Sequence, residues 1–254
     1  MPSQTITWAK PFFLIFFSVF ISFPLFSAST NWQRLQPGLE YQDFKYSYLT
    51  PWSHIHVFRV DLTRYQLNSV LAKDLNQKNA SVDEYAIFNK SLIALNGGFF
   101  DKNYQPLGLR INNKKLKTPF KAISWWGVFF ISNNQPYLVS SQEFQFTSQI
   151  DFAIQSGPRL IINGQIPHLK QGKADRTAIG ITSQGKLIIL VTENRHLSTH
   201  KLANLMQSPP LDCVNALNLD GGGSSQLRAS LPSFNLIVPG FSPIGDAVTI
   251  TEKN

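Results

Sequence analysis

The chain of 254 residues is 43% hydrophobic and 15% charged, with a formal net charge of +8 and a single cysteine. This composition excludes a disordered chain and an intramolecular disulfide, and it allows one well-buried domain or two at most. The basic residues are scattered apart from a cluster at residues 114–121 and match no nucleic-acid-binding motif, so we expect no nucleic-acid partner.

The N-terminal residues have the pattern of a secretory signal peptide. Lys10 precedes an apolar run from Phe12 to Phe26, and small residues follow at positions 27–29. The run is short for a membrane span and contains Pro24. We therefore predict a signal peptide at residues 1–29 and an exported protein, either periplasmic or secreted. An uncleaved leader that attaches the chain to a membrane is the alternative.

N-terminal sequencing of the exported protein tests this prediction. We expect the mature chain to begin close to Thr30, because signal peptidases cleave after small residues. Recovery of intact Met1 in the membrane fraction would contradict cleavage.

Residues 30–50 lack clear periodicity, so we predict a linker or edge segment there and the main domain at residues 51–254. The run from His54 to Leu62 alternates as a strand on which His54 and His56 share a face. We interpret both as ordinary strand histidines, because a metal site needs a further ligand that the nearby sequence does not offer.

The next elements are a helix and several hairpins. Ser81 to Glu84 has the form of a capping box that begins a helix ending near Lys90, and residues 92–95 read as a buried strand. Turn residues then predict three hairpins. Their turns are centred on Asn133-Asn134, Asn163-Gly164 and Ser183-Gln184-Gly185.

The third hairpin places Arg176 across from Thr192 or Glu193. The two side chains either form a cross-strand ion pair or point into a shared site. A short amphipathic helix follows over Ser198–Gln207, and Gly245–Thr251 is a closing strand. Together the elements predict an α+β fold, a strand-rich single domain with mixed or antiparallel sheet and a few short helices.

The most informative motif is Asn218-Leu219-Asp220-Gly221-Gly222-Gly223-Ser224-Ser225. A buried strand here delivers Asp220 into a glycine loop, whose N–H groups and serine hydroxyls predict an oxyanion cradle. The alternative is a tight turn in which Asp220 caps backbone N–H groups. Cys213 precedes this strand and is interpreted as a small buried hydrophobe.

Three further motifs place a strand end beside glycine or a charged group. They are Asn96-Gly97-Gly98-Phe99-Phe100-Asp101, Gln155-Ser156-Gly157-Pro158-Arg159 and Asp175-Arg176-Thr177-Ala178-Ile179-Gly180. In content and order, these four motifs resemble the phosphodiester glycosidase family from about Ile55 to the C-terminus. The resemblance implies hydrolysis of a sugar phosphodiester at the anomeric carbon, with such a diester or a phosphorylated glycan as substrate.

The residue types fit that chemistry. Glycosidases commonly use two carboxylates, so we predict that Asp220 and Glu193 are the catalytic pair, with Asp101 in reserve. Arg159 and Arg176 offer planar forks for a phosphate. The other predicted binding residues are Asn96, Gly97, Gly98, Ser156, Gly157, Thr177, Gly221, Gly222, Gly223, Ser224 and Ser225.

No ordered metal-ligand spacing is present, so we predict no obligatory cofactor or metal; a calcium-type ion on the carboxylates is the alternative. A catalytically silent carbohydrate- or phosphate-binding envelope protein is the alternative function. A serine hydrolase using Ser224 or Ser225 ranks last, because the chain lacks Gly-x-Ser-x-Gly.

Overall fold

A computed structural model of the protein describes residues 32–44 and 50–253, so the predicted signal peptide lies outside the described residues. Two α-helices are present in the described part, α1 (Val82–Phe88) and α2 (Thr199–Gln207), with 3₁₀ turns at Ala72–Leu75 and Gly222–Ser224. The strands in chain order are β1 (Gln33–Gln36), β2 (Leu39–Asp43), β3 (His54–Val60), β4 (Tyr65–Leu71), β5 (Ile93–Asn96), β6 (Arg110–Asn112), β7 (Lys115–Thr118), β8 (Gly127–Ser132), β9 (Gln135–Ser140), β10 (Ile150–Ser156), β11 (Arg159–Ile161), β12 (Lys173–Ala174), β13 (Thr177–Thr182), β14 (Leu187–Glu193), β15 (Leu197–Ser198), β16 (Cys213–Asn218), β17 (Leu227–Leu231), β18 (Phe234–Val238) and β19 (Asp246–Glu252).

The strands form three large sheets and one short ribbon. The seven-stranded sheet has the order β1-β2-β3-β14-β13-β16-β11, and the two five-stranded sheets have the orders β18-β17-β5-β19-β4 and β7-β6-β10-β8-β9. Strands β12 and β15 form the ribbon. Neighbouring strands are antiparallel in all four. The prediction of a strand-rich, antiparallel fold is confirmed, whereas the α+β class overstates the helices of a mostly β structure.

The seven-stranded sheet is buried on both faces at its centre. One face packs against the two five-stranded sheets, where Ile189, Leu217 and Phe129 share a core. The other face packs against α2, where Leu190 and Met206 share a second core. Double burial explains why residues 187–191 form a continuous apolar run rather than an alternating one.

Both predicted helices form, for the predicted reason. Ser81 accepts a hydrogen bond from the Glu84 N–H, and the Glu84 carboxylate accepts one from the Ser81 N–H, so the capping box begins α1. Ser198 caps α2 by accepting from the Lys201 N–H. Neither helix of the described part has the length and hydrophobicity needed to cross a bilayer.

The three hairpin turns also form. Strands β8 and β9 pair across Asn133-Asn134, both with positive φ, and β13 pairs with β14 across residues 183–185. Residues 162 and 165 bridge across Asn163-Gly164. Residues 33–43, within the segment expected to be a linker or edge, form β1 and β2 at the edge of the seven-stranded sheet. Elsewhere in this sheet, antiparallel pairing brings the start of β13 and the ends of β14 and β16 together at one end.

Candidate active site

A cavity of about 590 Å³ opens where β16 ends and β13 begins. Within the part of the chain that the structure describes, its lining includes one carboxylate side chain, that of Asp220, together with cationic and aromatic side chains. The residues that line it are Phe99, Trp125, Gly157, Pro158, His168, Leu169, Lys170, Gly172, Ala174, Arg176, Thr199, Asn218, Asp220, Gly221 and Gly222.

Backbone hydrogen bonds fix Asp220 from both sides of its strand end. Its N–H donates to the Gly97 carbonyl (3.2 Å), and its carbonyl accepts from the Asn96 side-chain amide (2.8 Å). The carboxylate oxygen Oδ1 accepts from the Gly221 N–H at 2.9 Å. The predicted strand end thus holds the acid in place, and Asp220 also makes the local cap that the alternative interpretation required.

Burial raises the pKa of the Asp220 carboxyl, because it disfavours the charged form. Hydrogen bonds from Ser224 and Gly221 oppose this shift. The nearby Asp246 carboxylate raises the pKa further, and the Arg110 guanidinium lowers it. The balance leaves an acid whose ionisation is displaced toward higher pH.

The N–H groups of the glycine loop are largely committed to the protein itself. Gly222 donates to the Asp175 carbonyl (2.8 Å), Ser224 to the Gly221 carbonyl and Ser225 to the Gly222 carbonyl. Together with Gly221, which donates to Asp220, four of the N–H groups expected to form an oxyanion cradle already have acceptors within the protein. Three of these acceptors lie in the loop itself, and the fourth is the carbonyl of Asp175.

The glycines of this loop have two different explanations. A Cβ on Gly221 would lie 2.8 Å from the Asp175 carbonyl oxygen, so the backbone itself makes the close approach. Gly222 has a φ of +64°, which favours glycine, and open space surrounds the position where its Cβ would be. Gly222 is therefore the glycine whose cavity side is free for a ligand.

The pair Gly97-Gly98 accommodates a buried ion pair and does not line the cavity. Arg110 and Asp246 are both fully buried, with Nε of Arg110 2.6 Å from an Asp246 oxygen. A Cβ on Gly97 would lie 2.2 Å from Asp246 Oδ2, and one on Gly98 would lie 2.5 Å from an Arg110 nitrogen. These contacts give the two glycines a packing role, and their predicted part in substrate binding stays a prediction.

Several predicted binding residues form a buried support beneath the loop. The Thr177 hydroxyl lies 2.7 Å from Asn96 Oδ1 and 3.3 Å from the Ser225 hydroxyl. Gly223 packs against Ser242, and its carbonyl oxygen accepts hydrogen bonds from the backbone N–H groups of Phe241 and Ser242. The predicted binding residues that lie outside the cavity lining are Asn96, Gly97, Gly98, Ser156, Arg159, Thr177, Gly223, Ser224 and Ser225.

Of the two predicted phosphate-binding arginines, Arg176 alone lines the cavity. Its Nε donates to the Leu197 carbonyl at 2.8 Å, and Nη2 donates to the Gly172 carbonyl. Within residues 32–44 and 50–253 it has no carboxylate partner within 4 Å, and burial lowers its pKa. Arg159 instead packs its side chain against Gly127, outside the lining. The clamp role of Arg159 stays a prediction, and the mechanism proposed below does not use it.

The predicted carboxylate pair is not brought together. Glu193 hydrogen-bonds through Oε2 to His56 Nε2 at 3.1 Å, on the β3 side of β14. Residues 189 and 191 are on the same face of β14 as Glu193, and they lie in the core on the side of the sheet away from α2. Asn218 and Asp220 line the cavity together with Leu169, which belongs to the core on the α2 side, and with Thr199 of α2. The two acids therefore face opposite sides of the sheet. The expected Arg176–Glu193 ion pair is absent from the described residues for the same reason.

Glu193 belongs to a separate polar network. His56 also bonds to the Tyr41 hydroxyl at 2.9 Å, and His54 bonds to Asp43 at 2.8 Å with its ring stacked on that of His56. Burial lowers the pKa of His56, and the hydrogen bond to Glu193 opposes that shift. Among the described residues, no group of three His, Cys, Asp or Glu side chains is arranged to hold a metal ion.

Asp101, the reserve catalytic acid, is a turn residue. Its Oδ1 accepts from the N–H groups of Asn103 (2.8 Å) and Gln105 (2.9 Å), and it does not line the cavity. An Asp that accepts from the N–H two residues later makes an Asx turn, a standard loop role. Its reserve catalytic role stays a prediction, and the mechanism proposed below does not use it.

Comparison with known proteins identifies the family. The sequence model described as "Phosphodiester glycosidase" matches residues 89–250, well over half of the chain. The chain belongs to this family.

The catalytic domain of zebrafish N-acetylglucosamine-1-phosphodiester alpha-N-acetylglucosaminidase has the same fold, with a TM-score of 0.66 and 22% identity over 87% of this chain and 86% of that one. A hypothetical protein from Synechocystis also shares the fold, with a TM-score of 0.61 and 16% identity over 85% of this chain and 62% of that one.

Sequence relatives of this phosphodiester glycosidase family member come from bacteria. The uncharacterized protein YigE of Escherichia coli K12 is 32% identical over 114 residues, which are 40% of this chain and 44% of that protein. The uncharacterized protein YomE of a Bacillus subtilis prophage is 26% identical over 186 residues, which are 64% of this chain and 28% of that protein. The matched stretches thus span less than half the length of either relative.

Sequence reasoning missed several residues of this family member's cavity. Phe99 and Trp125 line it, as do His168 and Lys170 from the segment that follows β11. Trp125 and residues 168–172 belong to none of the four motifs. Phe99 does belong to one of them, so its position next to Gly97-Gly98 is the signal that the sequence offers.

Proposed function

We propose that this protein is an exported glycosidase that cleaves a sugar 1-phosphodiester between the anomeric carbon and the phosphate oxygen. One observation carries the proposal: Asp220, with its raised pKa, and Arg176, without a carboxylate partner in the described part of the chain, line the same cavity. The family membership supports it, since phosphodiester glycosidase is the activity for which the family is named. Export rests on the predicted signal peptide, and envelope or extracellular glycans are the proposed substrates.

The cavity suits a reaction that uses one carboxylate. Water replaces the phosphate at the anomeric carbon, so a C–O bond forms to water and the C–O bond to phosphate breaks. The departing phosphate monoester is already a good leaving group and does not need a proton, in contrast to a sugar alcohol. The carboxylate is then needed at the anomeric carbon, where Asp220 takes the proton of the attacking water and stabilises the developing positive charge.

Arg176 fits the phosphate side of this reaction. The N–H groups of its guanidinium that do not donate to the Leu197 and Gly172 carbonyls are available to phosphate oxygens, and its positive charge stabilises the negative charge that leaves the sugar. Lys170 also lines the cavity and adds a second cation. The half-buried position of Arg176 strengthens such contacts, because less water screens them.

The decisive experiment is hydrolysis of a panel of sugar 1-phosphodiesters by the purified chain in ¹⁸O-labelled water. We expect a reducing sugar and a phosphate monoester, with the label in the sugar. Label in the phosphate would instead identify a phosphodiesterase. Binding of the diesters without product would identify the catalytically silent carbohydrate- or phosphate-binding protein.

A lysine substitution tests the phosphate role of Arg176, with Arg159 as the matched control. We expect Arg176→Lys to lower kcat/KM about 10- to 100-fold, since the charge is kept while a charge-assisted hydrogen bond of about 1.5–3 kcal/mol is lost. Arg159 lies outside the cavity lining, so Arg159→Lys should change kcat/KM less than about 3-fold. Steady-state kinetics is the measurement, and melting curves check that both variants fold. Equal effects of the two substitutions would remove Arg176 from phosphate binding.

A further inference from the structure

The cavity has two walls of different chemistry, joined by the Asp220 loop. Asp220 donates its N–H to the Gly97 carbonyl, two residues before Phe99, and Gly222 donates to the Asp175 carbonyl, one residue before Arg176. The wall on the Phe99 side is aromatic. The wall on the Arg176 side is cationic and includes Lys170, whose carbonyl accepts from the Thr199 hydroxyl at 2.6 Å.

We propose that the aromatic wall is the glycosyl subsite, in which the indole of Trp125 stacks against the pyranose ring of the substrate. This inference rests on the proposed function and adds the orientation of the substrate to it. The sugar lies against Trp125 and Phe99, and the phosphate lies against Arg176 and Lys170. The anomeric carbon then lies above Asp220, at the junction of the two walls.

Packing holds the Trp125 ring in a defined position while leaving it accessible. Trp125 is 58% exposed and stands perpendicular to Trp126, with ring centroids 5.8 Å apart. Trp126 in turn lies 5.4 Å from the Phe99 ring. A Cβ on Gly157 would come within 2.7 Å of Trp126 and 3.2 Å of Trp125, so the absence of a side chain there makes room for both indoles, of which that of Trp125 lines the cavity.

The electrostatics of an indole ring select the sugar over the phosphate. The face of an aromatic ring carries negative potential, so it attracts the weakly positive C–H groups on the apolar face of a pyranose and disfavours a phosphate anion. The opposite wall has the complementary preference, because its cations bind anions. A ligand with a neutral ring and an anionic phosphate therefore has one favourable orientation in this cavity.

Calorimetric titration of full-length mature protein with two ligands tests the assignment. The probes are inorganic phosphate and N-acetylglucosamine 1-phosphate, which contains the same anion attached to a sugar. We expect Trp125→Ala to weaken binding of the sugar phosphate about 10-fold through the lost stacking and apolar contact, and to change binding of inorganic phosphate less than about 2-fold. Trp125→Phe should restore part of the affinity, since a smaller ring is kept.

Trp52→Ala is the matched control, because Trp52 is 61% exposed and does not line the cavity. We expect it to bind both ligands as the wild type does. Equal weakening of both ligands by Trp125→Ala, or of neither, overturns the glycosyl subsite. A wild-type chain that binds the sugar phosphate no more tightly than phosphate overturns it as well. Trp125-dependent sugar binding without any diester hydrolysis would instead contradict the proposed function and leave the subsite standing.

Discussion

We expect Asp220→Asn to lower kcat/KM for a sugar 1-phosphodiester by about 10²–10⁴-fold or more, while the melting temperature changes little. The amide has nearly the same shape as the carboxyl, so the hydrogen bond from the Gly221 N–H can persist on the side-chain oxygen. The proton-accepting capacity and the negative charge are both lost. Among the described residues that line the cavity, Asp220 is the one that carries a carboxylate, so we expect no lining residue of this part of the chain to replace it.

Glu193→Gln provides the matched control for this variant. Glu193 is also a strand-end carboxylate at this end of the sheet, but it faces the opposite side and bonds to His56. We expect its kcat/KM to stay within about 3-fold of the wild type. A fully active, folded Asp220→Asn variant would refute the role of Asp220, and a large loss in Glu193→Gln would restore the two-carboxylate mechanism.

The pH profile follows from the raised pKa of Asp220. A base must be ionised to act, so kcat/KM should rise with pH through the pKa of Asp220 in the free enzyme. Burial raises the pKa of Asp220 above the ordinary aspartate value of 3.8, so this acidic limb, the rise of activity with pH, should lie at higher pH than for an exposed aspartate. The limb is measured from initial rates at constant ionic strength. If activity fell with rising pH through this ionisation, Asp220 would act as a general acid.

The Arg110→Met variant is expected to lose about 3–5 kcal/mol of unfolding free energy, the largest stability effect that we predict. Arg110 and Asp246 are both fully buried, so removal of the guanidinium leaves an uncompensated carboxylate. It also removes the donors to the Leu107, Leu109 and Gln155 carbonyls. Denaturant unfolding measures this loss of stability. Gly97 and Gly98 pack against the ion pair, so we also expect the variant to shift this segment and to lower activity in the folded fraction.

An exposed ion pair of the same length serves as the control. Arg59 and Glu40 also approach to 2.6 Å, but each keeps about a third of its side chain exposed. Arg59→Met should therefore cost only about 0–1 kcal/mol. The double variant Arg110→Met with Asp246→Leu should recover part of the stability, because both buried charges are then gone. Equal losses in Arg110→Met and Arg59→Met would contradict the importance of burial.

The sequence by itself determined the local elements and the position of the principal acid. Ser81 and Glu84 predicted the start of α1, Asn133-Asn134 predicted a hairpin, and the apolar run before Asp220 predicted a strand end, since these signals depend on residues close in sequence. Cys213 is buried, and burial raises its thiol pKa, in agreement with its interpretation as an apolar residue.

The tertiary structure alone decided which of the candidate residues meet. Asp220 and Glu193 both end strands of one sheet, yet they face opposite sides, because side chains alternate along each strand and the pairing register fixes which face is which. The close approach that Gly97 and Gly98 allow comes from Arg110 and Asp246, which are distant in sequence. Such outcomes depend on contacts between strands far apart in the chain, and no local pattern of residues encodes the partner.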